Sequence, residues 1–184
     1  MKDKYDNLVN FIFEVGMLSN FKRSGFDFLG SCNQNISSHI FRTAIIGFML
    51  SMENSEADAN KTAILCLFHD IPETRTGDIN MFQKEYVVKN EKKAISDIFK
   101  NFEHSKFYVD LIDEFNNGNS IEAIYARDAD VLELIFTLKE ELDKGNKQAE
   151  IWIENAVKRL NSKEAKNFAS KVLSVKYYDW WLRK

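Results

Sequence analysis

The chain holds three histidines and a single proline, and one of each falls within the stretch CLFHDIPETRTGDI, residues 66–79. An apolar helical run ends there in His69-Asp70. Pro72 follows, and Glu73, Arg75 and Asp78 gather around Gly77. One histidine at the end of an apolar helix is usually a core residue. An adjacent aspartate changes that reading, because burying a carboxylate is costly unless it is paired or binds a cation. Side chains of neighbouring residues diverge by about 100° on a continuing helix, so both reach one point only near a helix end. The Ile71-Pro72 step supplies that end, since the residue before proline avoids helical geometry. Gly77 permits a tight turn between Glu73 and Asp78.

His39 is a second candidate ligand, at the start of another apolar helix. Imidazole and carboxylate together suit one divalent transition metal: cobalt, manganese, zinc, iron or nickel. Magnesium, which favours all-oxygen sites, is disfavoured. A mononuclear site wants a further ligand, and the segment IYARDADVLELI offers two, Asp128 and Asp130. Residues 121, 124, 125, 128, 131, 132 and 135 form one helical stripe, which turns Asp128 inward. Asp130 shares another face with Arg127, Glu133 and Leu134. Periodicity alone leaves both open.

These residues need helices to hold them. With one proline and seven glycines in 184 residues, the chain has few breakers and favours long helices. The apolar spacing predicts helices over residues 5–20, over HIFRTAIIGFMLSM with Ser37 or Ser38 as cap, and over KTAILCLFHD. Residues 21–35 and the stretch IPETRTGDIN read as loops. Further helices are expected over 82–102 and 105–116. After the break NNGNS, Asn119 and Glu122 read as a capping box for a long helix through IEAIYARDADVLELIFTLKEELDKG. Two more fit 146–160 and 163–182, with Ser162 a cap for the last. The cluster Tyr177, Tyr178, Trp180 and Trp181 either docks on the core or forms a subunit interface. The fold class is all-α: one compact multi-helix bundle spanning residues 1–184.

Bulk composition narrows the function. A net charge of −3 without a basic stripe gives no footprint for nucleic-acid binding. Cys32 and Cys66 are too few and too far apart for a disulfide scaffold. The N-terminal stretch MKDKYDNLVNFIFEVGML fits neither a signal peptide nor a membrane span, so a cytoplasmic protein with no membrane partner is expected.

The order His39, His69-Asp70 and then a distant aspartate resembles the HD-domain metal-dependent phosphohydrolases, most closely their 5′-deoxynucleotidase-like branch. The matching segments are RSGF at 23–26, SHIFRTA at 38–44, FHDIPETRTGDI at 68–79 and ARDADVLELI at 126–135. The resemblance implies a single HD-domain bundle with His39, His69 and Asp70 as metal ligands. It places the fourth ligand at Asp130 through Ala129-Asp130-Val131-Leu132-Glu133, leaving Asp128 on the surface or behind the ligands. It further implies that Glu73 is catalytic, that Asp78 helps position the attacking water, and that Arg23 meets the substrate phosphate. Arg42, one turn after His39, would buttress the site through a carboxylate, and Arg75 would face solvent.

The implied activity is that of a phosphomonoesterase releasing phosphate from deoxyribonucleoside 5′-monophosphates, in a homodimer. The alternatives are hydrolysis of another nucleotide phosphoester, or non-catalytic binding of nucleotide and metal in a regulatory role. Three positions depart from the branch: Ser38 and Gln34 stand where relatives carry acids, and Phe26 stands where they often carry tryptophan. These bear on sugar and base preference.

Overall fold

A computed structural model describes residues 4–182. Ten α-helices follow one another with no strand among the described residues. They are α1 (Lys4–Gly16), α2 (Ile36–Met52), α3 (Ala59–Phe68), α4 (Glu73–Thr76), α5 (Glu91–Phe99), α6 (Ser105–Asn117), α7 (Ile121–Asp143), α8 (Ala149–Val157), α9 (Lys163–Ser174) and α10 (Asp179–Leu182). The all-α expectation holds. None of these helices is long and apolar enough to cross a membrane.

The long helix α7 is the spine, packing against α2, α3, α6, α8 and α9. Ala123, Ala126 and Ala129 on it are fully buried, and their small side chains let neighbouring helices approach closely. At Gly47 of α2 the approach is tighter still. A Cβ there would lie 2.7 Å from Cys66 Sγ, 3.2 Å from Thr62 Cγ2 and 3.4 Å from Ala129 Cβ. Gly47 therefore sets the α2–α3–α7 junction that carries the metal-ligand candidates. Gly47→Val should destabilise the fold by about 1–3 kcal/mol through overpacking, read as a lower urea midpoint at unchanged m-value.

Several boundaries differ from the sequence expectation because polar side chains intervene. Asn35, not Ser37 or Ser38, caps α2, accepting from Ser38 N. Ser120, not Asn119, caps α7 through Ala123 N, while Glu122 accepts from Asp58 N across the junction with α3. The helix expected over 82–102 is α5 alone, because Asn90 caps it by accepting from Lys93 N. Residues 79–90 before it are irregular apart from a 3₁₀ turn at Gln83–Glu85. The helix expected over 146–160 shortens to α8. Ser162 caps α9 as expected, but Val175 is extended and the helix stops at Ser174. Of the C-terminal aromatics, Trp180 and Trp181 do not dock on the core, being 82% and 50% exposed, whereas Tyr177 is held to the end of α7 by a bond from its N–H to Asp143.

The loop expected over residues 21–35 contains a 3₁₀ helix, Ser24–Leu29. Phe26 on it is buried against Leu29, Leu138, Ala149 and Ile153, fixing the segment that bears Arg23. The loop expected after His69-Asp70 contains the single turn α4. Pro72 adopts helical angles at its start, where a missing N–H costs nothing. Gly77 closes that turn with φ 68°, a conformation that favours glycine.

Candidate metal centre

Three separate helices deliver the candidate ligands to one region. His39 lies in the first turns of α2, His69 caps the C-terminus of α3, and Asp70 follows directly. Pro72 has no N–H to bond the carbonyl of Phe68, so the α-helical ladder cannot run on. Ile71 N instead donates to Phe68 O in a tighter turn, which lets His69 and Asp70 face the same way. Asp130 projects from the middle of α7.

The distances suit a cation. His69 Nε2 lies 3.1 Å from Asp70 Oδ2, and His39 Nε2 lies 3.1 Å from Asp130 Oδ1 and 3.6 Å from Asp70 Oδ2. Bonds of about 2.0–2.2 Å to a central metal put neighbouring ligand atoms about 3.0–3.5 Å apart. Donor atoms of His39, His69 and Asp70 lie within 4.8 Å of one another. The second histidine nitrogens settle which atoms face inward. His39 Nδ1 donates to Glu133 Oε2 at 2.6 Å, and His69 Nδ1 donates to Cys66 O at 2.7 Å. Both Nε2 atoms are then left buried without a hydrogen-bond partner. Two orphaned imidazole nitrogens beside two carboxylates are the donor set of a divalent transition metal. His39, His69 and Asp70 are thus brought together, and Asp130 lies beside them through its contact with His39 Nε2.

Charge in the pocket points the same way. Burial opposes a proton on His69, yet the adjacent Asp70 carboxylate raises its pKa to about 9. Burial also opposes ionisation of Asp70 and Asp130, but the histidines and Arg23 hold both well below the usual carboxylate range. Positive charge is strongly favoured here, and a cation would displace protons from the histidines as it binds.

Glu133 is the residue that sequence reasoning left without a role. It is fully buried. Besides His39, it accepts from Gln34 Nε2 at 2.6 Å and from Arg42 Nε at 2.9 Å. Arg42 also reaches Glu140 and Thr137, so it does buttress the centre through a carboxylate. The signal was the Asp130–Glu133 spacing, which lets one helix face hold both nitrogens of His39. Glu133→Gln should weaken metal affinity about 10–100-fold, measured by competition with a chromogenic chelator.

Asp128 is neither a surface residue nor part of the site. It is fully buried and accepts from Asn161 N, Ser162 N and Ser162 Oγ at 2.8, 2.8 and 2.6 Å. It fastens the start of α9 to α7. Its inward stripe position was read correctly from the sequence; its purpose is tertiary.

Around the metal-ligand candidates lie the other expected residues. Arg23 Nη1 is 3.4 Å from Asp70 Oδ2. Asp78 accepts from Ser24 N at 2.7 Å and from Ser24 Oγ, tying the Arg23 segment to the loop after α4. Glu73 is largely buried, with Oε1 bonded to Lys89 Nζ at 2.9 Å and Oε2 buried without a partner. Burial, reinforced by Asp70 and Asp78 and opposed by Lys89, pushes its pKa up to about 7. Arg75 is exposed, as expected, and makes a two-pronged contact with Glu14, at 2.6 and 2.9 Å.

A helical bundle in which histidines and acids from α2, α3 and α7 converge offers a donor cluster suited to a divalent metal. The chain belongs to the HD-domain family, whose model matches residues 15–172. Solved structures agree. A structural-genomics protein is 32% identical, with TM-score 0.81, over 96% of this chain and 99% of its own. The PH0347 protein from Pyrococcus horikoshii is 29% identical, with TM-score 0.74, over 91% of this chain and 99% of its own. A predicted metal-dependent phosphohydrolase from Magnetospirillum magnetotacticum shares the fold at 21% identity, with TM-score 0.74, over 93% of this chain and 91% of its own. No protein of curated function is significantly similar.

Proposed function

We propose that the protein is a metal-dependent phosphohydrolase that releases phosphate from deoxyribonucleoside 5′-monophosphates. The observation that carries this reading is the pair of orphaned, buried Nε2 atoms of His39 and His69 beside Asp70 and Asp130. A buried carboxylate oxygen of Glu73 is left unbonded in the loop that follows them. His39, His69, Asp70 and Asp130 would hold a divalent metal, which supplies polarisation of a phosphoryl oxygen and acidification of water.

The chain's own residues do the rest. Arg23, drawn to Asp70 in the free protein, turns its planar fork to the phosphate and neutralises charge as it builds. Glu73 accepts a proton from the attacking water. Asp78 helps orient that water, and its bonds to Ser24 keep Arg23 in register with the Glu73 loop. The deoxynucleotide preference is supported by the segment matches RSGF and FHDIPETRTGDI.

The enzyme is further proposed to work as a cytoplasmic homodimer. The exposed Trp180 and Trp181, with Phe41, Ile45 and Met49 exposed along α2, supply apolar surface for a subunit contact, and both cysteines are free, as suits a reducing compartment. Light scattering should give twice the chain mass.

The test of the activity is phosphate release by metal-stripped protein reloaded with cobalt, manganese, zinc or magnesium, on a panel of deoxy- and ribonucleoside 5′-monophosphates. Metal-dependent, deoxy-selective release supports the reading. Metal bound without release from any monophosphate overturns it.

A further inference from the structure

Residues 79–90 follow the loop that carries Glu73 and Asp78, and their exposure is inverted. Met81, Tyr86 and Val88 are 87%, 73% and 96% exposed, whereas the charged Lys89 turns inward and its side chain is only 18% exposed. Turning a lysine inward while leaving valine and methionine in water runs against the hydrophobic effect. The position also lies just before α5, whose positive N-terminal dipole disfavours lysine. Lys89 is held there because Asn90 caps α5, which fixes the backbone at the helix entry. What the ammonium gains is one partner, Glu73 Oε1 at 2.9 Å.

The consequence is an asymmetric carboxylate. Oε1 of Glu73 is anchored, and Oε2 is buried and unbonded. We propose that Lys89 is a positioning residue of the hydrolytic reaction, fixing Glu73 so that Oε2 is the oxygen that meets the attacking water. The inference rests on the phosphohydrolase reading above and extends it to a residue outside the metal-binding and phosphate-binding motifs. The proton leaves water for Oε2 as the new P–O bond forms. The nucleoside oxygen takes a proton from solvent as the old P–O bond breaks, and Glu73 returns its own proton to solvent before the next turnover. A freely rotating carboxylate would sample this geometry only part of the time, and misplacement is costly in rate.

The experiment compares the reloaded wild-type enzyme with Lys89→Met, Lys89→Arg and Lys89→Ala, and with Lys84→Met as a control on an exposed lysine of the same segment. In Lys89→Met, kcat should fall about tenfold or more while KM changes less than about threefold. Metal affinity by calorimetry and the thermal midpoint should stay near wild type. Lys89→Arg should recover part of kcat, and propylammonium should restore Lys89→Ala in a saturable way. A Lys89→Met enzyme with wild-type kcat overturns the inference and leaves the phosphohydrolase reading standing. So does a loss that follows metal affinity or thermal midpoint and is rescued by neither arginine nor amine. Absence of phosphate release by the wild-type enzyme overturns both.

Discussion

Glu73→Gln should lower kcat by about 10²–10⁴-fold, the usual worth of a general acid–base group, while the protein still binds its metal. The amide keeps the size of the side chain and can still contact Lys89, but it cannot accept a proton from water. The neighbourhood gives the expectation its sign. Burial and the flanking Asp70 and Asp78 push the Glu73 pKa up to about 7 against the pull of Lys89, so its carboxylate is a far better base than an exposed one. Steady-state phosphate release paired with metal titration separates the two functions. Retained turnover in the variant would remove Glu73 from the chemistry and move the search for a base to Asp78.

The second large effect is a contrast between two aspartates on one helix, two residues apart. Asp128→Ala should lose about 2–4 kcal/mol of stability, because it removes the buried carboxylate that accepts from Asn161 N, Ser162 N and Ser162 Oγ at the start of α9. What remains folded should bind metal normally. Asp130→Ala should do the reverse. It removes the carboxylate 3.1 Å from His39 Nε2 and relieves the crowding of acids around the centre, so the fold persists and metal affinity collapses. Urea unfolding and chelator competition on both variants read the two axes independently. If Asp128→Ala lost metal while Asp130→Ala did not, the ligand assignment would be wrong.

That contrast also marks what could be read from the chain alone. The stripe of apolar positions on α7 turned Asp128 inward, and the structure agrees. Periodicity could not say what met it there, since its partners, Asn161 and Ser162, come from a turn more than thirty residues away. Glu133 was similarly visible as an acid on the Asp130 face. Its bond to His39 depends on the packing of α2 against α7, which is close at Gly47, where an added Cβ would lie 3.4 Å from Ala129 Cβ. Lys89 carried no signal at all, being one lysine among several in a polar segment.

The sequence by itself determined the all-α class, the convergence of His69 and Asp70 at a helix end, and the pairing of imidazole with carboxylate that calls for a cation. These are local consequences: scarce helix breakers, a proline that stops a hydrogen-bond ladder, and the desolvation cost of a charge at the end of an apolar run. Tertiary structure decided which aspartate faces His39, which histidine nitrogens point inward, and which oxygen of Glu73 is left free. For His39 and Glu73 those choices depend on partners brought together across 94 and 16 residues of chain, whereas His69 is oriented locally by the carbonyl of Cys66. No local pattern encodes such distances; the packing of α2, α3 and α7 around one glycine sets them.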